Sequence, residues 1–253
     1  ISKVKFQKQE CMKLFYLQGN EVLQLYKQGI PEQLAIKQPL DTLPDITDSS
    51  LVGAWLNKAT QGTALDYSNS GNDGAINSNP RFDSTGMTFD GVNDYVSFGD
   101  LSLAEGDTFT YSIDVSANSP GTADYIIAEG NTADGDPVFG FRSASSDANK
   151  FSIFYRDNSA TEMFVFTSSE DYFDTNKWNR FVCVVDNETY SVYANGVEIG
   201  SGTFTKGTIS LDVFAAGALV RNTVGLYGPF SIKNIELYDE AKSADWVANE
   251  YAK

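Results

Sequence analysis

The sequence predicts an all-β protein: a two-sheet antiparallel jelly-roll sandwich, with a short N-terminal β-hairpin arm before it and one C-terminal helix at its end. Short apolar stretches rich in β-branched and aromatic residues alternate with Gly, Asn, Asp and Ser turns, which is the pattern of strands and tight connections. No long helical period interrupts them, and such regular strand-and-turn spacing favours two packed sheets.

The strands are expected in a series of short segments. They cover residues 51–56, 87–89, 95–98, 109–115, 125–129, 138–142, 151–155, 163–166, 179–185, 189–194, 197–201, 210–214 and 228–238. The strongest hairpin signal is Asn195-Gly196, because Asn-Gly suits a turn with two positive φ angles. At the end of the chain, Ser243 is predicted to cap a helix that runs to Tyr251.

Residues 1–45 differ from the rest and are expected to form a β arm and a linker. Segments 14–19 and 23–29 resemble each other and both end in Gln-Gly, which predicts a small hairpin. Such a hairpin is marginally stable alone, so it should dock on the main domain or on another chain and support oligomerisation. The alternative is a solvated edge whose lysines prevent aggregation. Residues 46–253 then form the sandwich.

Composition excludes several classes of function. The formal net charge is −16, and so acidic a surface repels nucleic acid and anionic membranes. The chain has no histidine and only two cysteines, Cys11 and Cys183. A Ser-His-Asp triad, a Cys-His pair and a zinc site made of His or Cys ligands are therefore excluded. No apolar run is long enough to cross a bilayer.

Several motifs carry a family resemblance. Segment 51–56 reads as a first strand with Trp, 66–74 as an Asp-Tyr-Ser-Asn-Ser-Gly-Asn-Asp-Gly loop, and 87–96 contains Phe-Asp-Gly-Val-Asn-Asp-Tyr-Val. Segments 177–181 and 191–196 supply a Trp and a Tyr-Ala-Asn-Gly turn. In this order and spacing, residues 51–253 resemble a laminin G-like domain of the concanavalin A-like lectin and glucanase superfamily.

The resemblance implies binding functions and, in many members, calcium. Asp66 matches the acid of the family's first loop, and Asp90, Asn93 and Asp94 match the second, so these four residues are the candidate metal ligands. Asp and Asn oxygens suit calcium chemically. However, Lys233 replaces an acid that is common in the family's terminal strand. The alternative is that these side chains tie turns through hydrogen bonds to the backbone.

The sequence argues against catalysis. Glucanases of the superfamily carry Glu-x-Asp-x-x-Glu on one strand, which places two carboxyl groups about 5 Å apart for retaining hydrolysis. The acidic segments at 170–174 and 236–240 do not have this spacing. We therefore expect no catalytic residues and no enzymatic activity.

Four residues at strand ends are candidate ligand contacts: Arg142, Tyr155, Arg156 and Tyr227. Each adjoins a turn, where aromatic and polar side chains can meet a sugar. The alternative for each is ordinary core or rim packing, because aromatic side chains are mostly buried.

The combined features predict a non-enzymatic structural protein on a virion head or tail, whose sandwich adheres to glycans or to a host surface. The N-terminal echo loosely resembles repeats that begin tailed-phage structural proteins, and the first residues carry no secretory signal. Residues 1–45 would bind other virion or surface subunits in an oligomeric assembly.

One alternative is a carbohydrate-binding module of a bacterial surface or secreted protein, with an extracellular or cell-surface location. Another is a lattice-building protein with no ligand.

Overall fold

The computed structural model describes residues 45–252, apart from 61, 69, 84, 85, 118 and 175. Within that range, Ile46–Ala252 forms one unit of the fold. The predicted N-terminal hairpin, Cys11 and most of the linker lie outside the described residues. The predicted division near residue 45 and the role of the arm therefore stay predictions.

Strands make up most of the described chain, as the alternating apolar pattern predicts. In chain order they are β1 Leu51–Thr60, β2 Thr63–Asp66, β3 Gly74–Asn77, β4 Arg81–Asp83, β5 Gly86–Thr88, β6 Tyr95–Gly99, β7 Thr108–Ala117, β8 Tyr125–Gly130, β9 Val138–Ser143, β10 Lys150–Arg156, β11 Glu162–Asp171, β12 Asn179–Asp186, β13 Thr189–Ala194, β14 Val197–Thr203, β15 Val213–Ala216, β16 Leu219–Val220, β17 Val224–Gly225 and β18 Phe230–Tyr238. A short helical turn, Leu103–Glu105, precedes β7, and helix α1 spans Ala244–Tyr251.

Most strands hydrogen-bond into one long sheet that folds back on itself as two layers. The strand order is β11-β10-β9-β8-β15-β6-β3-β2-β1-β18-β7-β12-β13-β14, and off this path β5 pairs with β18 and β4 pairs with β5. We call the part from β11 to β3 the first layer and the part from β1 to β14 the second layer. Strands β16 and β17 form a separate hairpin, which packs on the outer face of the first layer.

The core lies between the two layers. Phe151 on β10 stacks on Phe181 of β12 with ring centroids 3.8 Å apart, and Phe139 on β9 meets Phe109 of β7 at 5.1 Å. Because these pairs join strands that are far apart in the sheet order, they show that the layers face each other. Each buried aromatic ring contributes roughly 2 kcal/mol or more to stability. The predicted sandwich is confirmed.

The turn and helix predictions are also confirmed. Asn195 and Gly196 join β13 to β14 with φ angles of 52° and 78°, the two positive values that an Asn-Gly turn requires. The Ser243 hydroxyl accepts a hydrogen bond from the Trp246 backbone N–H at 3.2 Å and caps α1. Among the described residues, no helix is long and apolar enough to cross a membrane.

The strand predictions differ from the structure in two ways: one strand starts later than predicted, and several short strands were not predicted. Segment 210–214 is wrong in its first half, because β15 begins at Val213. Before it, the Leu211 N–H donates to the Glu105 carboxylate, so that part of the backbone is not available to a neighbouring strand. Strands β2, β3, β4, β16 and β17 were not predicted, because each has four residues or fewer and lies within turn-rich sequence.

Candidate functional site

An open groove lies where β3 and β6 meet the loops beside them. Its volume is about 570 Å³, and its lining residues are Ser78, Asn79, Arg81, Thr88, Phe89, Asp90, Asn93 and Asp94. Most of these side chains are polar, whereas Phe89 belongs to the core beneath them. Three of the four predicted metal ligands, Asp90, Asn93 and Asp94, are therefore brought together in one concave surface.

Asp90 and Asp94 hold the walls of this groove in place. Asp90 Oδ1 accepts hydrogen bonds from the backbone N–H of Val92 at 2.8 Å and of Asn93 at 3.4 Å. The buried Asp94 accepts from the N–H of Asn79 at 2.9 Å and from that of Asp90 at 3.3 Å. Asp94 thus ties the loop after β5 to the loop before β4, and side chains of this type commonly order loops in this way.

Asp66 is not part of the groove. Its carboxylate accepts from the backbone N–H of Ala54 at 2.9 Å, of Ser68 at 2.9 Å and of Asn72 at 2.8 Å, so it organises the connection between β2 and β3. Asp94 immediately precedes Tyr95, which pairs with the last residue of β3. Asp66 lies near the first residue of β3, so the two carboxylates are separated by the strand length, roughly 10 Å.

The groove does not fit a calcium cage as the residues stand. Calcium takes six to eight oxygen ligands, and the described chain has no group of three or more Asp, Glu, His or Cys side chains arranged to hold a metal ion. Asp90 and Asp94 use carboxylate oxygens on the backbone instead. This geometry matches the turn-stabilising alternative, and calcium binding stays a prediction.

Two of the predicted ligand contacts, Arg142 and Arg156, lie on the outer face of the first layer. Arg142 on β9 is cross-strand neighbour to Tyr125 on β8. Its guanidinium carbon lies 4.2 Å from the centre of the Phe154 ring and 5.8 Å from the centre of the Tyr125 ring. Burial raises the pKa of Tyr125, and the charges of Arg142, Arg156 and Arg221 partly oppose that rise.

Arg221 joins them from the hairpin of β16 and β17, and we call these three residues the outer-face arginine cluster. Arg156 donates from Nε to the Asp136 carbonyl at 2.6 Å and from Nη2 to the Gly135 carbonyl at 2.8 Å. Arg221 Nη1 donates to the same Gly135 carbonyl at 2.6 Å. Arg221 was not predicted as a site residue, because only the folding of the hairpin over the layer brings it there.

Tyr227 lies between the groove and the arginine cluster. It forms an isolated parallel bridge with Tyr125, the neighbour of Arg142. Its ring centroid is 6.4 Å from that of Tyr95, which follows Asp94 in the chain. Tyr227 and Arg142 therefore both lie beside Tyr125, whereas Arg156 pairs with Val138 at the opposite end of β9.

Tyr155 is a correction to the predicted ligand set. Its side chain is fully buried in the core between the layers, and its hydroxyl donates to the Ala104 carbonyl. The reason is the alternation of a strand, which points Tyr155 inward while its neighbours Phe154 and Arg156 point outward.

The sequence profile of the Laminin_G_3 family, part of the concanavalin A-like lectin/glucanases superfamily, matches residues 90–248. The chain belongs to this family. The match begins at Asp90 in the groove and ends within helix α1, so it covers more than half of the chain and confirms the resemblance that the motifs carry. No curated protein sequence matches the chain.

Solved structures share the fold of this laminin G-like domain at low sequence identity. A Trypanosoma rangeli sialidase in complex with sialic acid matches with a TM-score of 0.62 and 15% identity, over 80% of this chain and 32% of the sialidase. The receptor-binding domain of botulinum neurotoxin C/D mosaic serotype matches with a TM-score of 0.63 and 14% identity, over 80% of this chain and 51% of its own. The laminin G-like chain thus spans about a third to a half of these proteins, and such identities show the fold alone.

One buried acid in this laminin G-like domain was not predicted. Glu129 on β8 is fully buried, and its carboxylate accepts from the N–H of Leu103 at 3.0 Å and of Ala104 at 2.9 Å. Burial raises its pKa to about 7, against the effect of these two donors and of the Tyr111 hydroxyl. That hydroxyl is itself buried and has no partner in normal hydrogen-bond geometry. Glu129 anchors the helical turn before β7 and does not reach the groove.

Proposed function

We propose that this laminin G-like domain binds glycans without cleaving them, and that the groove between residues 78–81 and 88–94 is the contact surface. The observation that supports this is the groove itself. It is concave and about 570 Å³ in volume, which is within the size range of small-ligand sites. Its walls are tied by Asp94, so it is preformed, and preformed sites bind with a smaller entropy cost.

The exposed groups of the groove suit sugar hydroxyls. Ser78, Asn79, Arg81, Asp90 and Asn93 are exposed and offer both hydrogen-bond donors and acceptors. Val92 at the loop tip is 68% exposed and presents an apolar surface beside them. Sugars carry both hydroxyl groups and apolar C–H faces, so this mixture of contacts matches their chemistry.

The state of the groove carboxylates supports binding rather than hydrolysis. A glycosidase needs one carboxyl group that can donate a proton and a second that acts on the sugar ring. Asp94 is buried and accepts backbone N–H groups with both oxygens. Asp90 uses one oxygen in the same way. Asp94 is therefore a structural acceptor, and Asp90 alone remains free to contact a ligand.

The test is a glycan array probed with the purified chain and with Asn93→Ala and Asp90→Asn variants. Each variant should weaken binding about tenfold, because each removes one or two hydrogen bonds to the sugar. Asn249→Ala, an exposed change on helix α1, is the matched control and should bind normally. A blank array would contradict glycan binding, and normal binding by both groove variants would contradict the site. Release of reducing sugar from a bound glycan would contradict the non-catalytic assignment.

We further propose that the protein lies on a virion surface and that residues 1–45 attach it there. This proposal is supported by the acidic composition and by the sequence of the arm, which lies outside the described residues. Deleting residues 1–45 should abolish incorporation into particles while the sandwich stays folded by circular dichroism. Normal incorporation of the deletion variant would contradict this role, whereas glycan binding would be unaffected.

A further inference from the structure

Arginine is rare in this acidic chain and unevenly placed. The whole sequence contains five arginines, at positions 81, 142, 156, 180 and 221. Three of them form the outer-face arginine cluster: the guanidinium carbons of Arg142 and Arg156 lie 4.2 Å and 5.7 Å from the centre of the Phe154 ring, and Arg156 and Arg221 donate to the same Gly135 carbonyl. The chain as a whole carries a net charge of −16, so this convergence of cations runs against the charge of the surrounding surface.

Arg142 hydrogen-bonds the Tyr125 hydroxyl, which opposes the rise in the pKa of Tyr125, but the fold gives this cation no anion. The residue is only 8% exposed, and its Nε is buried without a hydrogen-bond partner. Among the ion pairs of the described residues, none involves Arg142. A buried cation without an anion is costly, and the contact with the Phe154 ring offsets only part of that cost.

Arg156 and Arg221 have roles in the fold but also keep unused donors. Both bind the Gly135 carbonyl, and the nearest anion is the Asp136 carboxylate, 3.7 Å from Arg156 Nη2. That carboxylate is half exposed, so its charge is well screened by water. A guanidinium has five N–H donors, and most of those on Arg221 remain free for a ligand. The cluster therefore holds three cations against one exposed carboxylate.

Tyr227 connects the groove with the Arg142 end of the cluster. Tyr227 bridges to Tyr125 on one side and lies beside Tyr95 on the other. On the same side, a Cβ atom placed on Gly91 would lie 2.9 Å from Pro229, so the groove loop touches the segment that carries Tyr227. In addition, Leu226 is exposed and holds a φ of 53°, a strained conformation that is frequent at ligand sites.

We infer that the outer-face arginine cluster binds the acid group, a carboxylate or a sulfate, of an acidic glycan whose neutral sugars lie toward the groove. The anion supplies the counter-charge that Arg142 lacks and accepts hydrogen bonds from Arg142 together with Arg156 or Arg221. Guanidinium groups match the geometry of such oxyanions. The sugar part of this inference rests on the proposed function, whereas the anion part stands on the cluster alone.

The anion part is tested by NMR on protein labelled with ¹⁵N-arginine. Five Nε–H signals are expected from the five arginines, and that of Arg142 is assigned by its absence in Arg142→Lys. Sodium sulfate and sodium acetate are titrated separately at fixed ionic strength, with chloride as the reference, so the two anion types are distinguished. The Arg142 signal should shift and saturate with at least one of them, while that of Arg180 stays in place. Unchanged Arg142 signals in both titrations would overturn the inference and leave a purely structural stacking role.

The sugar part is tested on a glycan array that pairs each neutral glycan with its sialylated and sulfated forms. The wild-type chain should prefer acidic forms, and Arg142→Gln and Arg221→Gln should each weaken that binding about tenfold or more. Lys177→Gln, which removes the same charge from an exposed position, should bind normally. Arg221→Gln keeps the test decisive if Arg142→Gln does not fold. Neutral hits that both variants retain would overturn the sugar part of the inference while the proposed function stands. A blank array would contradict the proposed function and the sugar part together, and the anion part would then be decided by the NMR titration.

Discussion

Arg180 and Asp114 form a two-pronged ion pair on the outer face of the second layer. Arg180 Nε donates to Asp114 Oδ1 at 2.8 Å, and Nη2 donates to Oδ2 at 2.9 Å. The residues are direct cross-strand partners on β12 and β7. Arg180 Nη1 also donates to the Glu250 carbonyl in helix α1 at 3.1 Å. Burial lowers the pKa of Arg180, but Asp114 outweighs it and holds the pKa above its usual range. The pair therefore joins the sheet to the terminal helix.

Removing the acid of this pair should destabilise the domain strongly. Asp114→Ala leaves a mostly buried guanidinium without its carboxylate, so we expect the free energy of unfolding in urea to fall by about 3 kcal/mol. Asp171→Ala is the control, because its partner Lys150 lies in a more exposed pair, and such pairs contribute less than about 1 kcal/mol. Equal losses in the two variants would contradict a special role for the Arg180 pair.

The buried Glu129 should make stability depend on pH. Its pKa is about 7 in the folded protein against an ordinary value of 4.5. Between these values the folded state binds more protons than the unfolded state, so the free energy of unfolding should decrease as pH rises, by on the order of 3 kcal/mol. Below pH 4.5 this contribution is fully present, and above pH 7 it is lost. Glu129→Gln should remove this part of the pH dependence.

Urea unfolding at several pH values measures the Glu129 effect as the difference between wild type and variant. Glu198→Gln, an exposed change, controls for the loss of one charge. If wild type and Glu129→Gln change in parallel between pH 4.5 and 7, the carboxyl group does not hold its proton in the core.

The hairpin that carries Arg221 should be sensitive to the glycine beneath it. A Cβ atom on Gly130 would lie 2.1 Å from the Val220 carbonyl oxygen, closer than any real contact. Gly130→Ala should push β16 off the first layer and cost about 1–3 kcal/mol of stability. Gly225→Ala on the same hairpin meets nothing within 4 Å and should be nearly neutral. Thermal unfolding of both variants tests this prediction. If Gly130→Ala leaves the stability unchanged, that result would contradict the close packing of the hairpin.

Chelation of calcium should leave the domain unchanged. Asp66 and Asp94 use both carboxylate oxygens on backbone N–H groups, and Asp90 uses one of its two, so we expect EDTA and added calcium to give the same melting temperature. An ion bound at one hundred times its dissociation constant adds about 2.7 kcal/mol, which for a domain of this size shifts the melting temperature by roughly 5 °C or more. A shift of that size would establish the calcium site that the family resemblance implies.

The fold could be predicted because its signals are local. Alternating apolar residues, an Asn-Gly turn and a Ser cap each depend on a few neighbouring residues, and β13, the β13–β14 turn and α1 occur where these signals place them. The short strands β2, β3, β4, β16 and β17 carry no such signal. Each is too short for alternation to be visible. Strands β2 and β3 form beside the longer strands β1 and β6, whereas β4 pairs with β5 and β16 pairs with β17.

The candidate site was only partly predictable for the same reason. Asp90, Asn93 and Asp94 are close in sequence and lie together in the groove, and a turn beside each residue pointed to Arg142, Arg156 and Tyr227. Tyr155 adjoins the same turn as Arg156, but one residue of strand alternation reverses its direction. Glu129 could have been noticed as an acid at an inward position of an apolar strand.

The sequence by itself determined the sandwich, its family and the absence of histidine chemistry, because these depend on composition and on short patterns. Only the tertiary structure decided which polar groups meet. It separated Asp66 from Asp94 by the length of a strand, and it laid the β16–β17 hairpin over the first layer so that Arg221 reached Arg156 across a distant stretch of chain. Contacts of this kind depend on the length and direction of each strand before it turns. No short segment of sequence encodes them.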